Sequence, residues 1–259
     1  MKSGMFTKAI TRRPALSLGR GLTSADLGAP NPVLAARQHE AYCEALRSCG
    51  VEVIVLDPVE EFPDSTFVED TAVIAGHRAM ITRPGHPSRL GEADLIEPVL
   101  SRYLEVDRIS PPGRIDGGDV LEVDDLVLIG LSKRTNMEGA RQLGTFLARE
   151  GFRSATVRVK LGLHLKSGLS YLGNGVALAD SSMSQIEGLS GLDVIGVADG
   201  EDYCANCITV NGRLIFPSGF PGTLALLART GVEIIELDMS EFRKMDGGLS
   251  CLSLRMDTG

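Results

Sequence analysis

Four stretches of the chain place two short apolar runs around a turn: AVIAGHRAMIT (72–82), VLEVDDLVLIG (120–130), YLGNGVALA (171–179) and CITVNGRLIF (207–216). Their turn centres are Gly76-His77, Asp124-Asp125, Asn174-Gly175 and Asn211-Gly212. Asn-Gly is a strong hairpin signal, because both central residues of a type I′ turn need positive φ. The pattern predicts four β-hairpins. Helical spacing follows them: Leu95, Ile96, Val99, Leu100 and Tyr103 share a face in 92–103, and Ala140, Leu143 and Leu147 do so in 138–150. Thr135 and Glu138 read as the capping box of the second helix. A further helix over about 33–48 carries Tyr42, Ala45, Leu46 and Cys49, and 183–191 and 222–229 are shorter helical candidates. β-Branched runs then follow the helices at 51–58, 106–110, 155–159, 193–198 and 232–238.

The repeating unit is hairpin, helix, strand, at a period of roughly 40–50 residues. There are five helix–strand pairs and four complete hairpins. A fifth hairpin is assembled from AITRR (9–13) and SCLSLRM (250–256), near the two ends of the chain. Pairing first and last strands closes a ring and removes exposed edges. The expectation is an α/β fold, a five-unit ββαβ propeller closed by its N- and C-terminal strands and forming one domain over 1–259. An open doubly wound sheet competes less well, because it is built from parallel crossovers and not hairpins. Neither G-x-G-x-x-G nor G-x-x-x-x-G-K-[ST] occurs, which removes the usual nucleotide signatures.

Charge narrows the function further. Thirty-four acidic against 26 basic residues give −8, and no Lys/Arg run exceeds two, so a nucleic-acid partner is not expected. The absence of Trp and the 5% aromatic content argue against base-stacking platforms. No 18 apolar residues run together, so no membrane partner is expected, and residues 1–19 lack the apolar core of a secretory signal. Five cysteines, an odd set in a chain of this size, fit a reducing cytoplasm better than a disulfide framework. Cys204 and Cys207 have C-x-x-C spacing without a second pair or a nearby His, and read as ordinary structural cysteines.

Polar and Gly-rich residues gather just before the first strand of each unit: 64–70 (DSTFVED), 116–119 (DGGD), 164–168 (HLKSG), Ala205-Asn206 and 246–251 (DGGLSC). In a radial repeat, residues at one phase meet at one end of the central axis. A thiol (Cys251), an imidazole (His164) and the carboxylates of Asp64, Glu69, Asp70, Asp116 and Asp119 would then share a site. The thiol is a nucleophile when a base or cation activates it. Imidazole carries protons near neutral pH, and a carboxylate orients it. Acidic walls suit a cationic guanidinium or amidine substrate. Taken singly, each residue has a plainer reading: Cys251 as packing, the DGG pairs as simple turns, Arg89 and Arg134 as solvated surface charge.

FPDSTFVEDTAV (62–73), ITRPGHPSR (81–89), IDGGDVL (115–121), IGLSKRTNMEGARQ (129–142), LHLKSGLSYL (163–172), CANCI (204–208) and KMDGGLSCLS (244–253) together resemble the dimethylarginine dimethylaminohydrolases of the guanidino-group-modifying (pentein) superfamily, in order and over nearly the whole chain. The resemblance implies the same five-unit propeller and hydrolysis of Nω-methylated L-arginine to citrulline and a methylamine through a covalent thiouronium on cysteine. It implies Cys251 as nucleophile, His164 as general acid/base and Asp116 as the acid paired with it. Asp64 and the backbone of Leu22 match groups that hold the α-amino end, Glu69 and Asp70 the acids around the guanidinium, and Arg89 and Arg134 the pair that grips the α-carboxylate. Phe67, Asp119, Met245 and Asp246 complete the expected substrate-binding set. Arg134 also precedes a predicted helix start, where an anion is favoured. No cofactor or metal is implied; the expected partner is a methylated arginine, with a homodimer left open. The 17–30 stretch is small and Gly-rich and could cover the site.

Two rival functions are weighed against this. Arginine deimination uses the same scaffold, but the resemblance implies an additional helical domain for which 259 residues leave no room. A non-catalytic binder of arginine-like metabolites would not need the intact Cys251, His164 and Asp116 set.

Overall fold

The computed structural model describes residues 4–184, 186 and 188–258. In chain order its elements are β1 (Lys8–Arg12), α1 (Pro32–Ser48), β2 (Glu52–Leu56), β3 (Ala72–Ala75), β4 (Arg78–Ile81), α2 (Leu90–Leu100), β5 (Glu105–Arg108), β6 (Val120–Val123), β7 (Leu126–Leu131), α3 (Met137–Arg149), β8 (Arg153–Arg158), β9 (Leu169–Gly173), β10 (Val176–Ala179), β11 (Asp193–Gly196), β12 (Ile208–Val210), β13 (Arg213–Pro217), α4 (Pro221–Leu227), β14 (Glu233–Leu237), α5 (Ser240–Arg243) and β15 (Leu254–Met256). The strands form five three-stranded sheets, β15-β1-β2, β3-β4-β5, β6-β7-β8, β9-β10-β11 and β12-β13-β14. In each sheet the middle strand pairs antiparallel with one neighbour and parallel with the other. Hairpin and crossover therefore coexist in every unit. Chain ends meet as expected: Lys8 pairs with Met256 and Ile10 with Leu254.

The hairpin turns follow their sequence signals. Asp124, Asn174 and Asn211 adopt positive φ of 54°, 53° and 49°, as do Gly175 and Gly212. Two details differ from expectation. The stretch 183–191 is turn and not helix among its described residues, and residues 185 and 187 lie outside them. The cap of α3 is Asn136, whose side chain accepts from the Gly139 amide at 2.8 Å. Thr135 is drawn away from capping because its hydroxyl accepts the Asp116 amide at 3.2 Å, and Glu138 pairs with Arg141 instead.

Apolar faces of successive sheets meet in five separate clusters, each containing side chains of two neighbouring sheets. Ile10 and Leu254 pack with Ala79 and Ile81 under α2. Ala75 and Met80 pack with Val120 and Ile129 under α3. Leu121 and Leu128 meet Leu169 and Ala177, and Leu178 meets Leu214 and Phe216. The last cluster joins the fifth sheet (Ile208, Val210, Ile215) to Ala9 of the first, against Tyr42 and Leu46 of α1. Burial of these faces supplies the hydrophobic drive for assembling the units. No helix among the described residues is long and apolar enough to cross a membrane.

Candidate active site

Five single turns of 3-10 helix immediately precede the inner strands β3, β6, β9, β12 and β15, one from each sheet, or lie within two residues of them: Val68–Thr71, Gly117–Asp119, Leu165–Ser167, Asp202–Ala205 and Ser250–Leu252. They carry or flank the polar clusters picked out in the sequence, so the five-fold phase brings distant residues to one place.

His164 is 4% exposed and Asp116 fully buried. His164 Nε2 lies 3.0 Å from Asp116 Oδ2. Asp116 Oδ1 accepts the Gly85 amide at 2.6 Å. The His164 backbone amide donates to Ser167 Oγ at 3.2 Å, fixing the turn that presents the ring. Close approach fixes it too: a Cβ on Gly118 would stand 2.6 Å from His164 Nδ1 and 3.0 Å from Asp70 Oδ1. Burial alone would lower the imidazole pKa, but the charges of Asp70, Asp119 and Asp116 and the bond to Asp116 outweigh it, raising the pKa to about 9. The ring is therefore an imidazolium at neutral pH.

Asp70 takes the Gly118 amide on Oδ1 at 2.9 Å and the Arg89 guanidinium on Oδ2. Burial opposes its ionisation, yet His164 and Arg89 hold its carboxyl below the usual range. This is the same attraction that raises His164, seen from its partner. Cys251 is half-buried, with the Gly248 amide 3.4 Å from Sγ. Burial, then the negative charges of Glu69 and Asp70, push its thiol up to about 12. Asp70 thus acts electrostatically on both the thiol and the imidazole.

Arg89 and Arg134 are not solvated charges. Arg89 is 4% exposed and its guanidinium is held by Asp70, by both oxygens of Glu92 and by the Phe67 carbonyl. Arg134 Nη1 is buried with no hydrogen-bond partner; Asp116 Oδ2, at 3.5 Å, gives it a charge contact only. Asp64 is buried, and both its oxygens accept the Leu22 amide, at 3.0 and 3.2 Å. Its carboxyl is raised by burial against the pull of Arg89 and that amide.

Five further residues of the expected substrate-binding set also have protein partners. Asp119, fully buried, accepts the Leu165 amide at 3.0 Å and Ser132 Oγ at 2.6 Å. Glu69 accepts from Lys166 Nζ at 2.6 Å and Ser250 Oγ at 2.8 Å. Asp246 accepts from the amide and hydroxyl of Ser24, tying down the 21–25 stretch. Phe67 stacks edge-on with Phe242 at 6.2 Å, and the Met245 side chain lies in the same apolar cluster. Glu69, Lys166 and Ser250 also line a cavity of about 170 Å³ among the inner strands, whereas Cys251, His164 and Asp116 do not. The sequence alone gives Lys166, Asn206 and Ser250 no role beyond their place in the pre-strand clusters. Asp70, Asp116 and His164 could offer one ligand atom each within 4.8 Å of one another, but their mutual charge pairing already accounts for the grouping.

Similarity to known proteins points the same way. A family model of eukaryotic N,N dimethylarginine dimethylhydrolases matches residues 31–186. The N(G),N(G)-dimethylarginine dimethylaminohydrolase of Pseudomonas aeruginosa is 46% identical over 253 residues, 97% of this chain and 100% of that protein. Its counterpart in Streptomyces coelicolor is 36% identical, covering 96% of each chain. The P. aeruginosa enzyme, solved as a cysteine-to-serine variant complexed with citrulline, has a TM-score of 0.95 to this structure at 45% identity, covering 97% of this chain and 100% of that one. The N-terminal domain of ArgZ, a cyanobacterial arginine dihydrolase, shares the fold at a TM-score of 0.86 and 17% identity, with 96% of each chain covered.

Proposed function

The chain belongs to the dimethylarginine dimethylaminohydrolase family, and from that premise we propose that it hydrolyses Nω-methylated L-arginine to L-citrulline and dimethylamine or monomethylamine. The observation that carries this reading is the buried grouping of His164 with Asp116 and Asp70, with Nε2 3.0 Å from Asp116 Oδ2 and the Asp70 turn packed against the one carrying Cys251.

The substrate guanidinium enters beside Asp70 and Asp116. Its positive charge lowers the thiol pKa, and the Cys251 proton leaves to solvent. The thiolate adds to the guanidinium carbon, forming a C–S bond. His164 then gives its proton to the departing nitrogen as the C–N bond breaks, and a methylamine leaves. A thiouronium on Cys251 remains. The now neutral His164, oriented by Asp116, takes a proton from water as the water oxygen adds to the same carbon. The C–S bond breaks, the electron pair returns to sulfur, the hydroxyl proton passes to that thiolate to restore the thiol, and citrulline leaves. Arg134 offers its unbonded Nη1 to the substrate carboxylate, with Arg89 behind it as fixed positive charge. Asp64 and the Leu22 backbone hold the α-amino group. These roles use the protein's own groups, without a metal or organic cofactor.

The β1–β15 pairing and the apolar cluster between fifth and first sheets support a closed five-unit propeller acting as one catalytic domain over 1–259. Five free cysteines support a reducing, cytoplasmic setting.

The test offers arginine, monomethylarginine and asymmetric dimethylarginine in parallel and measures citrulline, for the parent and Cys251→Ser. The methylated substrates should be preferred, and the variant should be inactive. Preference for arginine would overturn the substrate assignment, and turnover by Cys251→Ser near the parent rate would overturn the nucleophile.

A further inference from the structure

We propose that Asn206 is a positioning residue that holds the Cys251 turn and the His164 turn in register; the proposal rests on the roles of Cys251 and His164 given above. Asn206 follows the turn Asp202–Ala205 and is 5% exposed. Its Oδ1 accepts the Ser250 amide at 2.9 Å. Its Nδ2 donates to the Lys166 carbonyl at 3.0 Å and to Ser250 Oγ at 3.1 Å. Ser250 immediately precedes the nucleophile, and Lys166 lies two residues past the imidazole. One amide therefore grips both catalytic turns.

Glu69 repeats the same connection from another unit, joining the Lys166 ammonium to the Ser250 hydroxyl. Asn206, Ser250, Glu69 and Lys166 form a closed hydrogen-bonded circuit, contributed by four different turns of the repeat. A second contact holds the nucleophile turn. A Cβ on Gly248 would lie 2.5 Å from Asn206 Cγ, so the amide lies flat against the backbone whose N–H is directed at Cys251 Sγ. Asn206 thus meets the turn at the residue whose amide faces sulfur and again two residues on, at Ser250.

The chemistry requires this side chain in particular. The site presents one backbone N–H needing an acceptor and two oxygens needing donors, which a carboxamide satisfies together. Both Nδ2 hydrogens are engaged by protein, so none is left to reach substrate, and the effect on the reaction runs through the turns. Sulfur must reach the guanidinium carbon while the imidazolium reaches its leaving nitrogen, and a displacement of about 1 Å in such a pair costs on the order of 100-fold in rate.

The experiment uses the full chain and steady-state citrulline production from the preferred methylarginine. Asn206→Ala should lower kcat about 30- to 100-fold while KM stays within about threefold. Ser250→Ala should also lower kcat, and the Asn206→Ala/Ser250→Ala double variant should lose little more than the worse single one, because both cut the same circuit. A kcat within about threefold of the parent, a change confined to KM, or fully multiplicative effects would overturn the proposal. If Asn206→Ala does not fold, Asn206→Asp keeps the shape and the acceptor but removes both donors; it should still lose kcat selectively, and an unchanged kcat there overturns the proposal equally. Cys251→Ser, measured alongside, separates the two levels. If it is inactive while Asn206→Ala is normal, only the positioning role falls; if it is active, the nucleophile assignment and the positioning role fall together.

Discussion

Cys251 sits where its surroundings oppose a thiolate. Burial and two acids raise its pKa, and the nearby Gly248 amide and Lys166 only partly offset them. The other four thiols are raised as well, mainly by burial. A raised thiol pKa keeps the neutral form below it, so the resting protein should be protonated at sulfur through the physiological range. Ultraviolet titration of thiolate absorbance in the free protein should therefore show its Cys251 step above the ordinary value of about 8.5. A saturating, unreactive arginine analogue should move that step downward, because it adds a positive charge beside the sulfur. A step below the ordinary value in free protein, absent from Cys251→Ser, would show that the resting site already stabilises the anion. The complementary state of His164, charged at neutral pH, gives the first half-reaction its acid without prior proton uptake.

At the level of elements, chemistry rides on short turns whose placement, more than composition, makes them a site. The DGG segment before β6 illustrates the limit of sequence. Its glycines have the signature of a simple turn, yet Gly118 is not among the residues with positive φ; what excludes a side chain there is the His164 ring and Asp70. Gly118→Ala should keep the fold by circular dichroism and lose kcat on the order of 100-fold, since the new methyl can be accommodated only by shifting the imidazole. Activity within about twofold of the parent would mean that the ring tolerates displacement. Hairpins were legible because Asn-Gly and Asp turns declare their backbone geometry locally. Burial of Arg89 was not, because Asp70 and the Phe67 carbonyl reach it from a different turn. Nor was the Asn136 cap: Thr135 and Asn136 are both good cap formers, and the choice is made by the Asp116 amide, which lies 19 residues upstream. The carboxylates of Asp119 and Glu69 are recognisable as site residues, but only three-dimensional contacts reveal that each also braces a neighbouring turn.

Across the whole molecule, the seam between the fifth unit and the first depends on polar bonds as well as on the apolar cluster beneath it. Asn211, whose sequence signal is only that of a hairpin turn, accepts the Phe6 amide at 2.8 Å and donates to the carbonyls of Phe6 and Cys49 at 2.9 and 2.8 Å. Its side chain therefore joins the β12–β13 turn to the chain entering β1 and to the end of α1. Asn174 has nearly the same φ, 53° against 49°, but makes no such bond among the described residues, so it serves as an internal control. Glycine at either position keeps the left-handed turn accessible, and the difference between the two substitutions isolates the side-chain bonds. Loss of these partly buried bonds should cost about 1–3 kcal/mol. For a chain of this size that corresponds to a thermal midpoint lower by roughly 3–10 °C in Asn211→Gly. Asn174→Gly should stay within about 0.5 kcal/mol of the parent. Because the seam lies at the strand ends remote from Cys251 and His164 in the chain's repeat phase, kcat below the transition should be unchanged in both variants. Equal midpoints would show that the Asn211 side-chain bonds add nothing to the hold between the first and last units. A loss of kcat in Asn211→Gly would instead show that the seam is coupled to the catalytic turns.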